Sequence, residues 1–258
     1  MLTLENLGIP VESSHHEAAP SQHEIDLRHT DALTMADTVM TYKLVVKEIA
    51  MSHGYFASFM PKPSSAINGN GMHTHMSLFR GDENVFYSPN GKHTLSETAR
   101  QFCAGLLKHA REITLVTNQW VNSFKRLVPS YEAPIYVTWA EANRSDLLRI
   151  PSFKPGRESS RRIEYRAPDP ACNPYLAFSV MLAAGMEGIE NKYDKDMEEW
   201  NYTGPKETSK IFEKHTKNKK NPRKKLAHKR KRFMDSLAGV WFWEKSSGSF
   251  FLCRPCEN

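Results

Sequence analysis

The segment MHTHMSLF, residues 72–79, alternates between polar and apolar side chains and therefore predicts a β-strand. Because successive side chains of a strand point to opposite faces, His73, His75 and Ser77 share one face and leave the other mainly apolar. The strand follows NGNG, residues 68–71, which is typical of a turn. Two imidazoles on one strand face indicate either a metal or nucleotide site or a polar surface that performs no chemistry.

Two further segments alternate in the same way. SQHEIDL, residues 21–27, places Glu24 and Asp26 on one face, and RRIEYR, residues 161–166, places Glu164 on a face with two arginines. A half-exposed strand with a solvated side explains any one of these patterns equally well. Three such strands in one chain favour a charged, concave site.

The acids of these segments form a potential metal-ligand set. Several carboxylates close together are costly to bury unless cations neutralise them. Glu17, Glu24, Glu164 and one histidine would be a hard, oxygen-rich set without a thiolate. Such a set suits Mg²⁺ or Mn²⁺ better than zinc.

Arginines are concentrated between residues 126 and 166. Guanidinium groups bind carboxylates and phosphates with two parallel hydrogen bonds, which suits an enzyme that transfers a phosphoryl group. For a single arginine, an ordinary surface position explains the sequence as well. Neither a Walker A sequence nor a dinucleotide fingerprint is present, so side chains and metal would have to bind phosphate. The seven residues are Arg126, Arg144, Arg149, Arg157, Arg161, Arg162 and Arg166.

The wider pattern predicts an α+β fold in which helices back a sheet. Leu33, Met40 and Leu44 recur at helical spacing in the first predicted helix. The third predicted helix is apolar on most faces, which predicts that it is buried. We predict helices at 31–53, 95–118 and about 173–192, and further strands at 55–60, 135–140 and 161–166.

Charge divides the chain near residue 192. Residues 206–232 hold 13 Lys or Arg against two Glu, a net +11, so the rest carries −5 of the total +6. Dense like charge with few aliphatic residues predicts a solvated or disordered segment. We therefore expect a folded domain at 1–192 and a basic, partly disordered tail of unknown fold at 193–258. Residues 206–232 could bind nucleic acid weakly, or the tail could be an extension without a role.

The cysteines and the apolar segments bear on location. Four cysteines are too few for a disulfide framework, and the terminal CRPC lacks the further ligands that zinc requires. No segment resembles a signal peptide or reaches transmembrane length. We expect a cytoplasmic protein without membrane contact.

Five blocks of the sequence resemble those of type I glutamine synthetase, in the order that the family has them. The resemblance runs from about Gly8 to Lys192 and implies the catalytic domain of that family, a curved antiparallel sheet packed on helices. The blocks are HHEAAPSQHEID, NGNGMHTHMSL, NSFKRLVPSYEAP, NRSDLLRIP and RRIEYRAPDPACNPYLAF.

The resemblance implies roles for the metal and nucleotide residues. Glu17 and Glu24 match ligands of the metal that polarises the substrate oxygens, whereas His73 and Glu164 match ligands of the metal bound to nucleotide phosphates. The ATP site is expected to include His75, Ser77, Arg144 and Arg149.

It also implies roles for the glutamate site. Asn68 and Gly69 match the loop that contacts glutamate, and Arg126 matches an arginine that clamps its carboxylate. Glu132 lies on the loop that closes the site and receives a proton from ammonium, and Arg166 is expected near glutamate. Arg126, Glu132 and Arg144 would be the catalytic residues.

The implied reaction is ATP-dependent ligation of ammonia to glutamate through γ-glutamyl phosphate. Mg²⁺ or Mn²⁺ would be the cofactor, ATP the co-substrate, and a homo-oligomer the expected assembly. The family's N-terminal domain and its first catalytic strand, which carries a Glu-x-Glu pair, have no counterpart in this sequence. We therefore expect little or no activity from this chain alone. A γ-glutamyl ligase for another amine and a non-catalytic protein with a nucleic-acid-binding tail are the alternatives.

Overall fold

The computed structural model describes residues 1–141, 143–193, 241–242 and 247–253. Its five helices are α1 (Leu2–Asn6), α2 (Ala32–Ser52), α3 (Glu97–Thr117), α4 (Val121–Arg126) and α5 (Pro174–Glu190). Its strands are β1 (Val11–His16), β2 (Gln22–Leu27), β3 (Thr30–Asp31), β4 (Phe56–Ser58), β5 (Met72–Met76), β6 (Phe79–Arg80), β7 (Glu83–Asn84), β8 (Trp139–Ala140), β9 (Leu148–Arg149), β10 (Ile163–Tyr165), β11 (Trp241–Phe242) and β12 (Ser247–Cys253).

The main sheet has eight strands in the order β1-β2-β12-β5-β10-β9-β8, with β4 paired to β12. Neighbours along it are antiparallel except β8 and β9, which are parallel. Two small antiparallel pairs, β3 with β11 and β6 with β7, lie outside it. The α+β fold that the sequence predicts, with helices and a largely antiparallel sheet, is confirmed.

Helix α2 begins where predicted but buries a different face. The Asp31 side chain accepts hydrogen bonds from the backbone N–H groups of Leu33 and Thr34, which satisfies the first turn of the helix. The stripe marked by Leu33, Met40 and Leu44, whose spacing predicted the helix, is exposed. A second stripe has equally good helical spacing and packs into the core instead: Met35, Val39, Tyr42 and Val46.

Helices α3 and α5 pack with their backbones close together. A Cβ atom on Gly105 would lie 2.2 Å from the carbonyl oxygen of Ala184, and one on Gly188 would lie 2.1 Å from that of Gln101. The absence of side chains at these two positions therefore permits the crossing. Helix α5 buries one side, whereas Tyr175 and Leu176 on its first turn remain partly exposed.

The C-terminal strand β12 lies in the middle of the main sheet, between β2 and β5. Phe250 and Phe251 are buried, and the Phe250 ring lies 5.5 Å from that of Phe59, measured between centroids. Much of 193–258, including 206–232, lies outside the described residues, so the domain boundary near 192 and the role of the basic segment stay predictions. Among the described residues, no helix is long and apolar enough to cross a membrane.

The strand predicted at 135–140 forms only at Trp139–Ala140. Ser130 and Glu132, in the loop that precedes this segment, have left-handed backbone conformations, with φ of 75° and 54°. The helix predicted at 95–118 is confirmed as α3, and Ser96 caps it by accepting a hydrogen bond from the backbone of Ala99.

Candidate functional site

A row of polar residues crosses one face of the main sheet. Directly paired residues on neighbouring antiparallel strands present their side chains to the same face. The backbone register pairs His15 with Glu24, Glu24 with Ser249, Ser247 with His73, His75 with Glu164, and Glu164 with Arg149. The side chains of His15, Glu24, Ser249, His73, His75, Glu164 and Arg149 therefore share one face that extends from β1 to β9.

The first cluster on this face combines one imidazole with two carboxylates. His15 Nε2 lies 3.5 Å from Glu17 Oε2 and 3.4 Å from Glu24 Oε2. One ligand atom from each of the three residues lies within 4.8 Å of the other two. Glu17 and Glu24, the residues expected to bind one metal, are therefore brought together. This arrangement could hold a divalent cation.

His15 is a potential ligand that the sequence argument missed. It precedes Glu17 by two residues on an edge strand and lies directly opposite Glu24. Its neighbour His16 lies opposite His23, and their ring centroids are 4.7 Å apart. Predicting residues 11–16 as a strand would have placed His15 and His16 on opposite faces and shown that His15 shares a face with Glu17.

The second cluster centres on Glu164, which is 2% exposed. Arg149 Nη1 donates to one carboxylate oxygen at 2.5 Å, and Arg166 donates to the other. His73 Nδ1 lies 3.6 Å from Glu164 Oε1. The structure thus brings His73 and Glu164 together, and two guanidinium groups already neutralise the carboxylate.

Burial lowers the pKa of His73 well below its usual value, and the charges of Arg166 and Arg126 act in the same direction. The imidazole is therefore neutral at neutral pH, which is the form that binds metals. His75 is also buried, and its Nδ1 accepts a hydrogen bond from Arg162 Nε at 3.0 Å. Ser77 is buried just beyond β5, and its hydroxyl has no hydrogen-bond partner among the described residues.

Arg126 is buried behind the glycine-rich turn. Its guanidinium donates to the carbonyl oxygens of Arg166, Ala167 and Pro168, at 3.1, 2.8 and 3.3 Å for the closest nitrogen in each case. Burial lowers its pKa to about 10. A Cβ atom on Gly71 would lie 2.7 Å from His73 Nε2 and 2.8 Å from Arg126 Nη2, so a larger residue there would displace these side chains.

The turn at residues 68–71 is fixed from two sides. Gln22 Nε2 donates to the carbonyl oxygen of Gly69 at 3.1 Å. From β12, Ser249 Oγ accepts from the backbone N–H of Gly71 at 3.1 Å and donates to its carbonyl oxygen. Asn68 and Gly69 remain partly exposed at the end of the turn. Sequence reasoning missed Ser249, because nothing local links it to residues 178 positions away.

Glu132 and Arg144 lie on exposed loops beside the sheet. A cavity of about 490 Å³ separates these loops, and Glu132 is among the residues that line it. Asn143 and Ser145, on either side of Arg144, also line the cavity. The structure therefore places Glu132 and the Arg144 loop around one cavity, with both side chains open to solvent.

Comparison with known proteins identifies the family. The family model for the glutamine synthetase catalytic domain matches residues 1–226. The glutamine synthetase of Mycolicibacterium smegmatis is 59% identical over 190 residues, which are 74% of this chain and 43% of that protein. That of Thermotoga maritima is 55% identical over 193 residues, 75% of this chain and 43% of that protein.

Solved structures give the same result. Plasmodium falciparum glutamine synthetase superposes with a TM-score of 0.71 at 37% identity, covering 74% of this chain and 37% of that chain. GmaS without ligand superposes with a TM-score of 0.66 at 40% identity, covering 73% of this chain and 42% of that chain. The chain spans less than half the length of the curated relatives that it matches. Its sequence blocks, its sheet and the matched family model together show that the chain belongs to the glutamine synthetase catalytic-domain family.

Proposed function

We propose that the polar face of the sheet serves ATP-dependent ligation of ammonia to glutamate. The observation that supports this most strongly is the convergence of two ligand clusters on one face, with His15, Glu17 and Glu24 at one end and His73 and Glu164 at the other. Strands β2 and β5 are separated only by β12, which puts the two clusters about 10 Å apart at the usual strand spacing. ATP with its metal ions has suitable dimensions to bridge such a distance.

The first cluster fits a divalent cation, because two carboxylates and an imidazole face each other within ligand distance. Mg²⁺ or Mn²⁺ is the cation that this donor set favours, and it would supply Lewis-acid polarisation of oxygen atoms. The second cluster, His73 and Glu164, matches a metal site less directly. His73 is neutral and available, but Glu164 would have to exchange a contact with Arg149 or Arg166 before it could bind metal.

The arginines provide the charge that phosphoryl transfer requires. In the proposed reaction a side-chain carboxylate oxygen of glutamate attacks the terminal phosphorus of ATP, and the bond from that phosphorus to ADP breaks. Ammonia then attacks the acyl carbon, and phosphate leaves. Arg149, beside Glu164, and Arg144, on its loop, would neutralise charge on the phosphoryl oxygens, and His75 and Ser77 would line the nucleotide site.

The glutamate side of the reaction would use the turn and the buried guanidinium groups. Asn68 and Gly69 would contact glutamate from the end of the turn, while Arg126 and Arg166 would attract its carboxylates. Glu132 would take a proton from ammonium and, with its loop, exclude water from the acyl phosphate. Arg126 would need to exchange some of its carbonyl partners for substrate, because three backbone oxygens now accept from it.

We also infer a cytoplasmic location and a homo-oligomeric assembly. The location is supported by the small number of cysteines, four in the sequence, which is too few for a disulfide framework. The assembly is inferred only by analogy with the family. Weak nucleic-acid binding by residues 206–232 remains a separate prediction based on their charge.

The direct test is formation of ¹⁵N-labelled glutamine from ATP, glutamate and ¹⁵N-ammonium at high enzyme concentration. We expect slow product formation that requires a divalent cation and is lost in Glu24→Gln. His16→Ala, which alters the neighbouring histidine opposite His23, should retain it. Product formation that is unaffected by Glu24→Gln, or failure of ATP and glutamate to bind at all, would overturn the proposal.

A further inference from the structure

Helix α2 is apolar on two opposite sides. One side packs into the core, and the other exposes four large apolar side chains to solvent, each of them 47% to 65% exposed. Single exposed apolar residues are common on protein surfaces, but several on one side of one helix form a patch that needs a partner. Together with two charged residues they form the outer stripe of α2: Leu33, Asp37, Met40, Leu44, Lys47 and Met51.

The spacing of the outer stripe is that of a coiled-coil seam. Its positions follow one another at alternating intervals of four and three residues from Leu33 to Met51. This is the spacing of the a and d positions, which brings one side of a helix repeatedly against a second helix. At the rise of an α-helix the stripe is about 27 Å long. The periodicity therefore indicates another helix as the partner.

The outer stripe is also symmetric about the level of residue 42. Leu33 mirrors Met51, Met40 mirrors Leu44, and the two charged positions, Asp37 and Lys47, mirror each other. In an antiparallel pair of identical helices with a two-fold axis at this level, each position faces its mirror position on the other helix. Every apolar side chain then meets an apolar one.

The two charged residues select this orientation. In the antiparallel pair, Asp37 of each copy faces Lys47 of the other, so the contact between acid and base occurs twice. A parallel pair would instead place Asp37 against Asp37 and Lys47 against Lys47. An exposed ion pair adds little affinity, but like charges placed opposite each other disfavour the wrong arrangement.

Both charged side chains can reach a second copy. The hydroxyl of Tyr175 donates to Oδ1 of Asp37, and a carboxylate has further acceptor positions for an ammonium group. Lys47 Nζ lies 5.9 Å from the centroid of the Phe59 ring, at the outer limit of a cation–π contact. Lys47 therefore gives up little when it turns towards an acid of the second copy.

Self-complementarity favours a second copy over a different partner. A two-fold interface requires that one surface match itself, and each member of the outer stripe has its counterpart within the same stripe. The stripe carries one acid and one base, so its charge attracts neither an anionic nor a cationic partner. A stable interface buries about 800 Å² on each partner, and one helical seam covers less, which predicts a weak, concentration-dependent dimer.

We propose that the outer stripe of α2 binds the same stripe of a second copy of this chain as an antiparallel helix pair, with Asp37 of each copy opposite Lys47 of the other. The proposal goes beyond the ligase reaction, because it uses none of the residues on the polar face of the sheet. It also does not rest on the family analogy, since it follows from the spacing and exposure of one helix.

The first test is sedimentation velocity of the full chain at concentrations from micromolar to submillimolar. We expect a reversible equilibrium between monomer and dimer. Leu44→Glu places a charge opposite Met40 of the second copy and should weaken the dimer by about tenfold or more. Leu115→Glu, at a position of α3 that is 73% exposed, is the matched control and should dimerise like the parent.

The second test exchanges the charges. Asp37→Lys and Lys47→Asp each place like charges opposite each other at both contacts, so each variant alone should dimerise about tenfold more weakly. An equimolar mixture of the two variants should recover the affinity of the parent, because both contacts again join an acid and a base. Asp82→Lys, at an exposed turn between β6 and β7, should have no effect.

Recovery in the mixture requires that both variants be folded, and circular dichroism checks this directly. If either charge variant does not fold, Leu44→Glu and its control decide the outcome. A chain that stays monomeric at every concentration, or a dimer that Leu44→Glu leaves intact, would overturn the outer stripe as the contact. Folded charge variants that do not recover on mixing would overturn the antiparallel register.

Discussion

The Nδ1 atom of His73 lies 3.6 Å from Oε1 of Glu164, across the neighbouring strands β5 and β10. Glu164 is paired directly with His75, so His73 is its diagonal neighbour on the same face. The imidazole is kept neutral by burial and by the arginines around it. The carboxylate in turn pairs with Arg149 and Arg166, so that this cluster depends on Glu164 for both its charge balance and its geometry.

Replacing Glu164 with Gln should therefore destabilise the fold. Arg166 would remain buried without its anion, and breaking such a pair typically costs about 3–5 kcal/mol of unfolding free energy. Urea unfolding monitored by circular dichroism measures the change. Glu141→Gln, whose side chain is 55% exposed, is the control and should change stability by less than about 1 kcal/mol. Equal stability of the Glu164 variant and the parent would contradict this account.

His15 should contribute to metal affinity. Its imidazole faces both Glu17 and Glu24, so His15→Ala is expected to reduce Mn²⁺ affinity by about tenfold, a typical effect of losing a supporting group. Electron paramagnetic resonance of free Mn²⁺ gives the affinity. His16→Ala should leave it unchanged, and an equal loss in both variants would show that the effect is not specific to the cluster.

Gly105→Ala should disturb the contact between α3 and α5. The new methyl group would lie 2.2 Å from a backbone carbonyl oxygen, which cannot rotate away as a flexible side chain could. We expect a loss of about 1–3 kcal/mol in unfolding free energy. Thermal unfolding tests this, with Leu115→Ala on the exposed side of α3 as the control. A loss no larger than that of the control would show that α3 and α5 can move apart to accommodate the methyl group without a cost in stability.

Asp146→Asn should stabilise the chain at neutral pH. Burial raises the pKa of Asp146, which means that the folded state binds its proton more tightly than the unfolded state, whose pKa is near 3.8. The free energy of unfolding therefore falls as pH rises from 3.8 through the folded-state pKa. Because the side-chain amide of asparagine does not ionise, Asp146→Asn does not lose this stability.

We expect the free energy of unfolding of Asp146→Asn to be about 1 kcal/mol higher than that of the parent at pH 7 and equal to it near pH 3. Urea unfolding at the two pH values provides the measurement. Lower stability of the variant at pH 7 would mean that the folded chain stabilises the ionised carboxylate.

The sequence predicts those features that depend on local pattern. Alternation at residues 72–79 places His73 and His75 on one face of a strand, and the structure has them there. Helix α2 is predicted by its spacing, but two stripes have that spacing, and only packing against the rest of the core selects Met35 and Val39 over Leu33 and Met40.

Features that depend on distant pairing are not predictable in this way. The position of β12 between β2 and β5 joins residues far apart in the chain, and so does the contact of Ser249 with Gly71. Asp146 lies in a segment whose arginines dominate the sequence argument, and its burial becomes evident only in three dimensions.

The account rests on divalent cations binding to the polar face of the sheet. The most direct measurement is paramagnetic broadening of amide signals in the ¹⁵N-labelled chain on titration with Mn²⁺. The account predicts that broadening is strongest at His15, Glu17 and Glu24, extends to His73 and Glu164, and is much weaker in Glu24→Gln. No broadening on this face, or broadening centred on another part of the chain and unchanged in Glu24→Gln, would contradict it.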